Sequence, residues 1–108
     1  AALHIEDQPF PKRCGLLEGV AVIPPEEMAA RLRAARAALA EIGGGPLLIA
    51  RTDAVKPEGL DAAIRRMRAY LAAGAEIAFI EGLDDAAAIQ AAAQALAGVP
   101  LLLNASMS

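Results

Sequence analysis

Four apolar runs in this chain each stop on a polar side chain. Leu3-His4-Ile5 ends at Glu6-Asp7, Leu47-Leu48-Ile49-Ala50 at Arg51, Ile77-Ala78-Phe79-Ile80 at Glu81, and Leu101-Leu102-Leu103 at Asn104. Polar residues at the carboxyl ends of successive parallel strands mark the active-site rim of a β/α barrel. An arginine on such a rim can hold a carboxylate through two parallel hydrogen bonds. A separate stretch, Lys12-Arg13-Cys14-Gly15, sets a thiol beside two cations. Chemistry gathered on one rim would make this chain a piece of an enzyme.

The elements that must position these residues follow from periodicity and turn residues. The first strand spans 3–7, and Pro9 and Pro11 forbid its continuation. Residues 8–23 form a long connection, and a connection of that length in a compact domain is usually functional. Pro24-Pro25-Glu26-Glu27 opens a helix, because proline suits the first turn and carboxylates favour the positive end of the dipole. Met28, Leu32, Ala35, Leu39 and Ile42 give its apolar stripe, with Glu27 and Arg31 one turn apart. Gly43-Gly44-Gly45-Pro46 turns the chain into a strand over 47–51. Asp53 to Gly59 reads as a loop.

Leu60, Ile64, Met67 and Leu71 form a second helical stripe, with Arg65, Arg66 and Arg68 mostly toward solvent and Gly74 as the stop. Residues 76–81 are strand. Asp84 is placed to cap an alanine-rich helix that Gly98 and Pro100 close, and 101–104 is the last strand. The order β-loop-α-β-α-β-α-β implies parallel strands with right-handed crossovers. Strand period two puts Ile49 with Arg51, Phe79 with Glu81, and Leu102 with Asn104. With the polar ends pointing into a barrel, His4, Ile49, Phe79 and Leu102 line the lumen below them.

The chain has 108 residues, is 56% hydrophobic and carries a net charge of -3. That allows one domain. A closed barrel needs roughly 250 residues, so the expected fold class is α/β, a part of a (β/α)8 TIM barrel with about four strands and three helices. The other reading is a small four-stranded α/β domain. Mild acidity without a basic cluster argues against a nucleic-acid partner, and 3% aromatics leaves no stacking platform. No run is long and apolar enough to span a membrane. A single cysteine forms no internal disulfide, which fits a reducing cytoplasm.

Glu6-Asp7-Gln8, then Pro11-Lys12-Arg13-Cys14-Gly15, then Ala50-Arg51-Thr52-Asp53-Ala54 resembles the isocitrate lyase and phosphoenolpyruvate mutase superfamily. Glu26-Glu27-Met28 and Gly59-Leu60-Asp61-Ala62-Ala63-Ile64 also look like family sequence. Each motif is weak alone, but their order and spacing make a specific combination. The Lys-Arg-Cys-Gly loop is similar to the lyase branch, the 2-methylisocitrate lyases above all. The resemblance covers residues 1–108 as one partial barrel domain, the fourth through seventh strands of the family barrel.

The resemblance implies Mg²⁺-dependent cleavage of a carbon–carbon bond next to an alkoxide. The expected substrate is a small 2-hydroxy di- or tricarboxylate such as 2-methylisocitrate, giving pyruvate or glyoxylate plus succinate. Glu6 matches the family acid that supports the metal through its water shell, which suits a hard cation that keeps several waters. Asp7 is a candidate second partner or a loop cap. Cys14 matches the catalytic cysteine thought to protonate the departing succinate fragment, and Lys12 and Arg13 supply the cations such a thiol needs. Gly15 lets that loop bend over the substrate. Arg51 matches the arginine that holds the pyruvate or glyoxylate carboxylate, with an internal ion pair to Glu81 or Asp53 as the structural alternative. Glu81, Asn104 and Ser106 match further substrate-contacting positions.

Two departures from the family pattern matter. Leu16 stands where lyases usually have histidine after Cys-Gly, and leucine can neither donate a hydrogen bond nor carry charge. His4 does not replace it and reads as a packed strand residue. The direct metal-binding aspartates and the Gly-Tyr-Gly segment of the family are absent from this sequence. An oxaloacetate decarboxylase or related oxo-acid enzyme of the same superfamily therefore stays open. So does a truncated, inactive barrel piece with an assembly role. A phosphonate mutase fits less well, because that branch lacks the cysteine loop. Family members form homo-oligomers, commonly tetramers.

Overall fold

The four apolar runs pair into a single parallel sheet in the order β1-β2-β3-β4. The computed structural model describes residues 2–9, 21–43 and 47–103. Among them β1 is Ala2–Glu6, β2 Leu47–Thr52, β3 Ile77–Ile80 and β4 Leu101–Leu102. The strand limits lie within two residues of the sequence expectation, and β2 and β4 start where expected. The helices are α1 Pro25–Ile42, α2 Val55–Glu58, α3 Leu60–Ala72 and α4 Ala86–Ala95.

Strand alternation divides the sheet into two unlike faces. Leu48, Ala50, Thr52, Ala78 and Ile80 point to one side and are buried. Met28, Leu32 and Leu39 of α1 and Ala63, Met67 and Tyr70 of α3 pack with them in one core. The small residues Ala50 and Ala78 let the helices come close to the sheet centre. The other face carries His4, Leu47, Ile49, Arg51, Phe79 and Leu102 and stays partly or largely exposed. The register pairs His4 with Ile49, Arg51 with Phe79, and Phe79 with Leu102. These are the residues expected to line a lumen.

A strand order that never reverses, with the buried face against helices, is the wall of a β/α barrel. A doubly wound sheet reverses its strand order at a switch point.

Several local expectations change. The segment expected as a loop after Asp53 contains the single-turn α2, whose end at Gly59 is closed by the Gly59 amide donating to the Val55 carbonyl. Asp85, not Asp84, caps α4: its backbone is extended and its carboxylate accepts from the Ala88 amide at 2.8 Å. The buried stripe of α1 ends at Leu39, and Ile42 is 67% exposed, so the apolar periodicity runs one turn past the surface it packs on. Gly74 does follow the C-cap residue Ala73 at the end of α3. The largest difference is Arg66, expected in solvent and found in the core. No helix among the described residues is long and apolar enough to cross a membrane.

Candidate active site

Parallel register sets Glu6 beside Arg51 at the carboxyl ends of β1 and β2. The Glu81 amide donates to the Thr52 carbonyl at 3.0 Å, which brings the end of β3 to the same rim. Arg51 sits among three carboxylates. Its Nε donates to Asp53 Oδ1 at 2.8 Å and lies 3.7 Å from Glu6 Oε2. Its terminal nitrogen is 3.8 Å from Glu81 Oε2. The guanidinium carbon stands 5.1 Å from the centroid of the Phe79 ring, whose apolar face supports it from below.

Burial opposes the charge on Arg51, but the Asp53 hydrogen bond and the charges of Asp53, Glu81 and Glu6 outweigh it. The guanidinium is held above its already high ordinary value and stays cationic. Arg51, Glu6 and Glu81 all keep part of their surface open to solvent. Such an arrangement can bind a carboxylate through the remaining N–H groups of Arg51.

A second polar cluster lies directly behind this rim. Asp7 follows Glu6, so strand alternation turns it to the helix side, where it is fully buried. Its Oδ2 accepts from the Thr52 hydroxyl at 2.6 Å and the Tyr70 hydroxyl at 2.7 Å. Its Oδ1 accepts from the Asp53 amide at 2.9 Å. Gln8 donates to Asp53 Oδ2 at 2.5 Å.

Arg66 enters from α3, with its guanidinium 3.6 Å from Asp7 Oδ2. It also donates to the Ile23 carbonyl at 2.6 Å, to the Tyr70 hydroxyl at 3.1 Å, and to both oxygens of Glu58 at 2.8 and 3.0 Å. Burial and the neighbouring Asp7 push the Tyr70 phenol well above its ordinary value, so it remains a donor. The Arg66 hydrogen bonds hold Glu58 below the ordinary carboxylate range.

Of the residues singled out from sequence, Glu6, Arg51 and Glu81 come together. Both ion pairs weighed for Arg51 are present alongside the open part of its surface. Cys14, Gly15, Asn104 and Ser106 lie outside the described residues, as do Lys12, Arg13 and Leu16. His4 stays exposed, its ring 5.8 Å from that of Phe79. Among the described residues, no group of three or more His, Cys, Asp or Glu side chains is placed to hold a metal ion.

The cluster of Asp7, Thr52, Asp53, Tyr70 and Arg66 was not anticipated as a unit. Two signals for it exist in the sequence. Asp7 has the strand parity of Ile5, which packs against the core, not of Glu6. Arg66 and Tyr70 are four residues apart on the face of α3 that also carries Met67 and Ala63.

The family model for phosphoenolpyruvate phosphomutase matches residues 1–108. The chain belongs to this family. Among curated members, it is 42% identical over 104 residues to 2-methylisocitrate lyase of Bacillus subtilis, covering 96% of this chain and 33% of that protein. It is 46% identical over 104 residues to 2-methylisocitrate lyase of Escherichia coli, covering 96% of this chain and 34% of that protein.

Among solved structures of the phosphoenolpyruvate mutase and isocitrate lyase superfamily, 2,3-dimethylmalate lyase superposes with a TM-score of 0.90 at 42% identity, covering 95% of this chain and 34% of that one. Oxaloacetate acetylhydrolase bound to 3,3-difluorooxalacetate gives 0.89 at 42% identity, covering 95% and 35%. Phosphonopyruvate hydrolase in complex with oxalate and Mg²⁺ gives 0.75 at 32% identity, covering 94% and 35%. The chain thus spans about a third of the length of the curated relatives it matches. Its four parallel strands and their helices are a portion of the barrel-type fold of this family.

Proposed function

We propose that residues 1–108 supply strands four to seven of a (β/α)8 barrel, and that the complete protein is a Mg²⁺-dependent carbon–carbon lyase. Its substrate would be a 2-hydroxy di- or tricarboxylate such as 2-methylisocitrate, cleaved to pyruvate and succinate. The observation that carries this reading is the rim cluster. Arg51 of β2 stands 3.7 Å from Glu6 at the end of β1 and 3.8 Å from Glu81, the residue after β3. The similarity to the 2-methylisocitrate lyases of Bacillus subtilis and Escherichia coli, at 42% and 46% identity, supports the same reading.

In this reading Arg51 grips the carboxylate of the fragment that becomes pyruvate. Asp53 fixes the Nε side of the guanidinium, so the substrate meets its two terminal nitrogens. Glu81, Asn104, Ser106 and the Gly15 backbone complete the contacts to the substrate. The Cys14 thiol gives its proton to the succinate carbon as the bond breaks, and Lys12 and Arg13 stabilise the thiolate that remains.

The described residues fit Mg²⁺ in one respect: Glu6 and Glu81 offer hard carboxylate oxygens at a partly open rim, and Mg²⁺ takes oxygen ligands while keeping several waters. Glu6 would hold the ion through one of those waters. When bound, Mg²⁺ supplies charge stabilisation for a developing oxyanion. In this reading the direct Mg²⁺ ligands come from barrel strands outside residues 1–108. A cytoplasmic homo-oligomer belongs to the same reading.

One observation favours a second reading. Leu16 replaces the histidine expected after Cys14-Gly15, and the chain is as similar to oxaloacetate acetylhydrolase as to 2,3-dimethylmalate lyase. That reading is an oxo-acid enzyme acting on oxaloacetate. Incubating the full-length protein and Mg²⁺ with 2-methylisocitrate or with oxaloacetate, followed by product analysis, separates the two. Pyruvate and succinate from the first substrate alone support the lyase. Turnover of oxaloacetate alone supports the second reading. Inactivity on both leaves the assembly role.

A further inference from the structure

We propose that Asp7, Tyr70 and Arg66 are positioning residues for Arg51, acting through Asp53 from behind the sheet. The proposal rests on the reading of Arg51 as the grip for a substrate carboxylate. It deepens that reading by assigning what aims the grip.

The geometry runs in one direction. Arg51 is directed by a single described hydrogen bond, from its Nε to Asp53 Oδ1. Asp53 is itself held at two points, its amide donating to Asp7 Oδ1 and its Oδ2 accepting from Gln8, and the residue before it, Thr52, donates its hydroxyl to Asp7 Oδ2. The Asp7 carboxylate therefore fixes the two residues that follow Arg51 in the chain. Asp7 is fixed in turn by the Tyr70 hydroxyl at 2.7 Å and by the Arg66 guanidinium at 3.6 Å. Arg66 is anchored on α2 through both oxygens of Glu58, and on the Ile23 carbonyl.

Two consequences follow. Because Asp53 occupies Nε, a bidentate approach along the Nε edge of Arg51 is closed. A carboxylate must take the end-on approach through the two terminal nitrogens. Second, a buried and mutually satisfied chain of charged hydrogen bonds is stiff, since moving one member leaves others unpaired in a low dielectric. None of the three residues touches the open rim, so their influence passes through Asp53 and Arg51.

The test is a double-mutant cycle in the full-length protein with the substrate it turns over, reading KM and kcat separately. Tyr70→Phe removes one hydroxyl and keeps the ring in place. The proposal expects Tyr70→Phe to raise KM about tenfold with Arg51 present, with a smaller change in kcat. In the Arg51→Lys background the same change should raise KM less than about twofold, because the guanidinium being aimed is gone. Asp7→Asn should behave in the same way. Should Asp7→Asn fail to fold, Tyr70→Phe decides the matter.

Equal fold-changes in the two backgrounds would overturn the proposal, as a purely structural role predicts additivity. An unchanged KM for Tyr70→Phe with Arg51 present would overturn it too. If Arg51→Lys alone leaves KM unchanged, the grip itself is refuted and the positioning set falls with it. A raised KM in Arg51→Lys combined with additive effects refutes only the positioning set.

Discussion

Replacing Arg66 by methionine separates a buried ionic contact from an exposed one within a single side chain. The inner end of Arg66 donates to the Ile23 carbonyl and stands beside the fully buried Asp7. Removing it leaves a buried carbonyl without that donor, at a cost of about 1–3 kcal/mol. It also strips the cation from a buried carboxylate, and breaking such a pair costs about 3–5 kcal/mol. Asp7 keeps its three other donors, which holds the combined loss to roughly 4 kcal/mol.

The outer end faces Glu58, whose side chain is 37% exposed. Water replaces most of what that carboxylate loses, so Glu58→Gln should cost about 1 kcal/mol or less. Urea denaturation of the full-length variants, read side by side, checks the contrast. Arg66→Met should lower stability about fourfold more than Glu58→Gln. Equal losses, or a larger loss for Glu58→Gln, would refute the argument that burial of the inner end governs the pair.

The pH dependence of the same pair has a definite sign. The Arg66 hydrogen bonds hold Glu58 below its reference value of 4.5, so its contribution is present above that pH and lost as pH falls through the folded value. The stability gap between the native protein and Glu58→Gln should therefore narrow below pH 4.5, and a constant gap down to strong acid would contradict it. Gly82, beside Glu81, has φ +95, and a Cβ there would lie 3.2 Å from the Val55 Cβ. Gly82→Ala should cost roughly 1–3 kcal/mol in thermal or chemical unfolding, and an unchanged midpoint would show that the turn relaxes freely. Arg51→Lys should raise KM for a carboxylate substrate at least about tenfold through loss of a bidentate charged contact, measured by steady-state kinetics.

The sheet was legible because β/α alternation and strand parity act over short distances. Ile49 with Arg51 followed from period two alone; setting His4, Ile49, Phe79 and Leu102 on one face also needed the polar strand ends to point the same way, and the register places all four there. The rim acids and Arg51 were legible for the same reason, since each ends an apolar run.

The buried cluster was harder to read. Arg66 follows Arg65 and precedes Arg68 by two, so composition marks the segment as a solvated face. Only the angular position of Arg66 near Met67 and Tyr70, together with an acid waiting at the end of β1, turns it inward. That pairing joins residues far apart in sequence, and no local pattern encodes it. The α2 turn escaped notice because Pro57 and Gly59 read as loop punctuation, although proline is tolerated in a first helical turn. Asp84 and Asp85 are equal candidates as a cap by residue type, and only the extended backbone at Asp85 selects it.

The central claim is that Cys14 and the Arg51 rim serve one carbon–carbon cleavage. The most direct measurement is the rate of Mg²⁺-dependent pyruvate and succinate formation from 2-methylisocitrate by the full-length protein and by its Cys14→Ser variant. The native protein should give equimolar products, and the variant a kcat lower by about 10²–10⁴-fold with KM little changed, as expected for a lost proton donor. Absence of both products, or equal turnover by the two proteins, would contradict it.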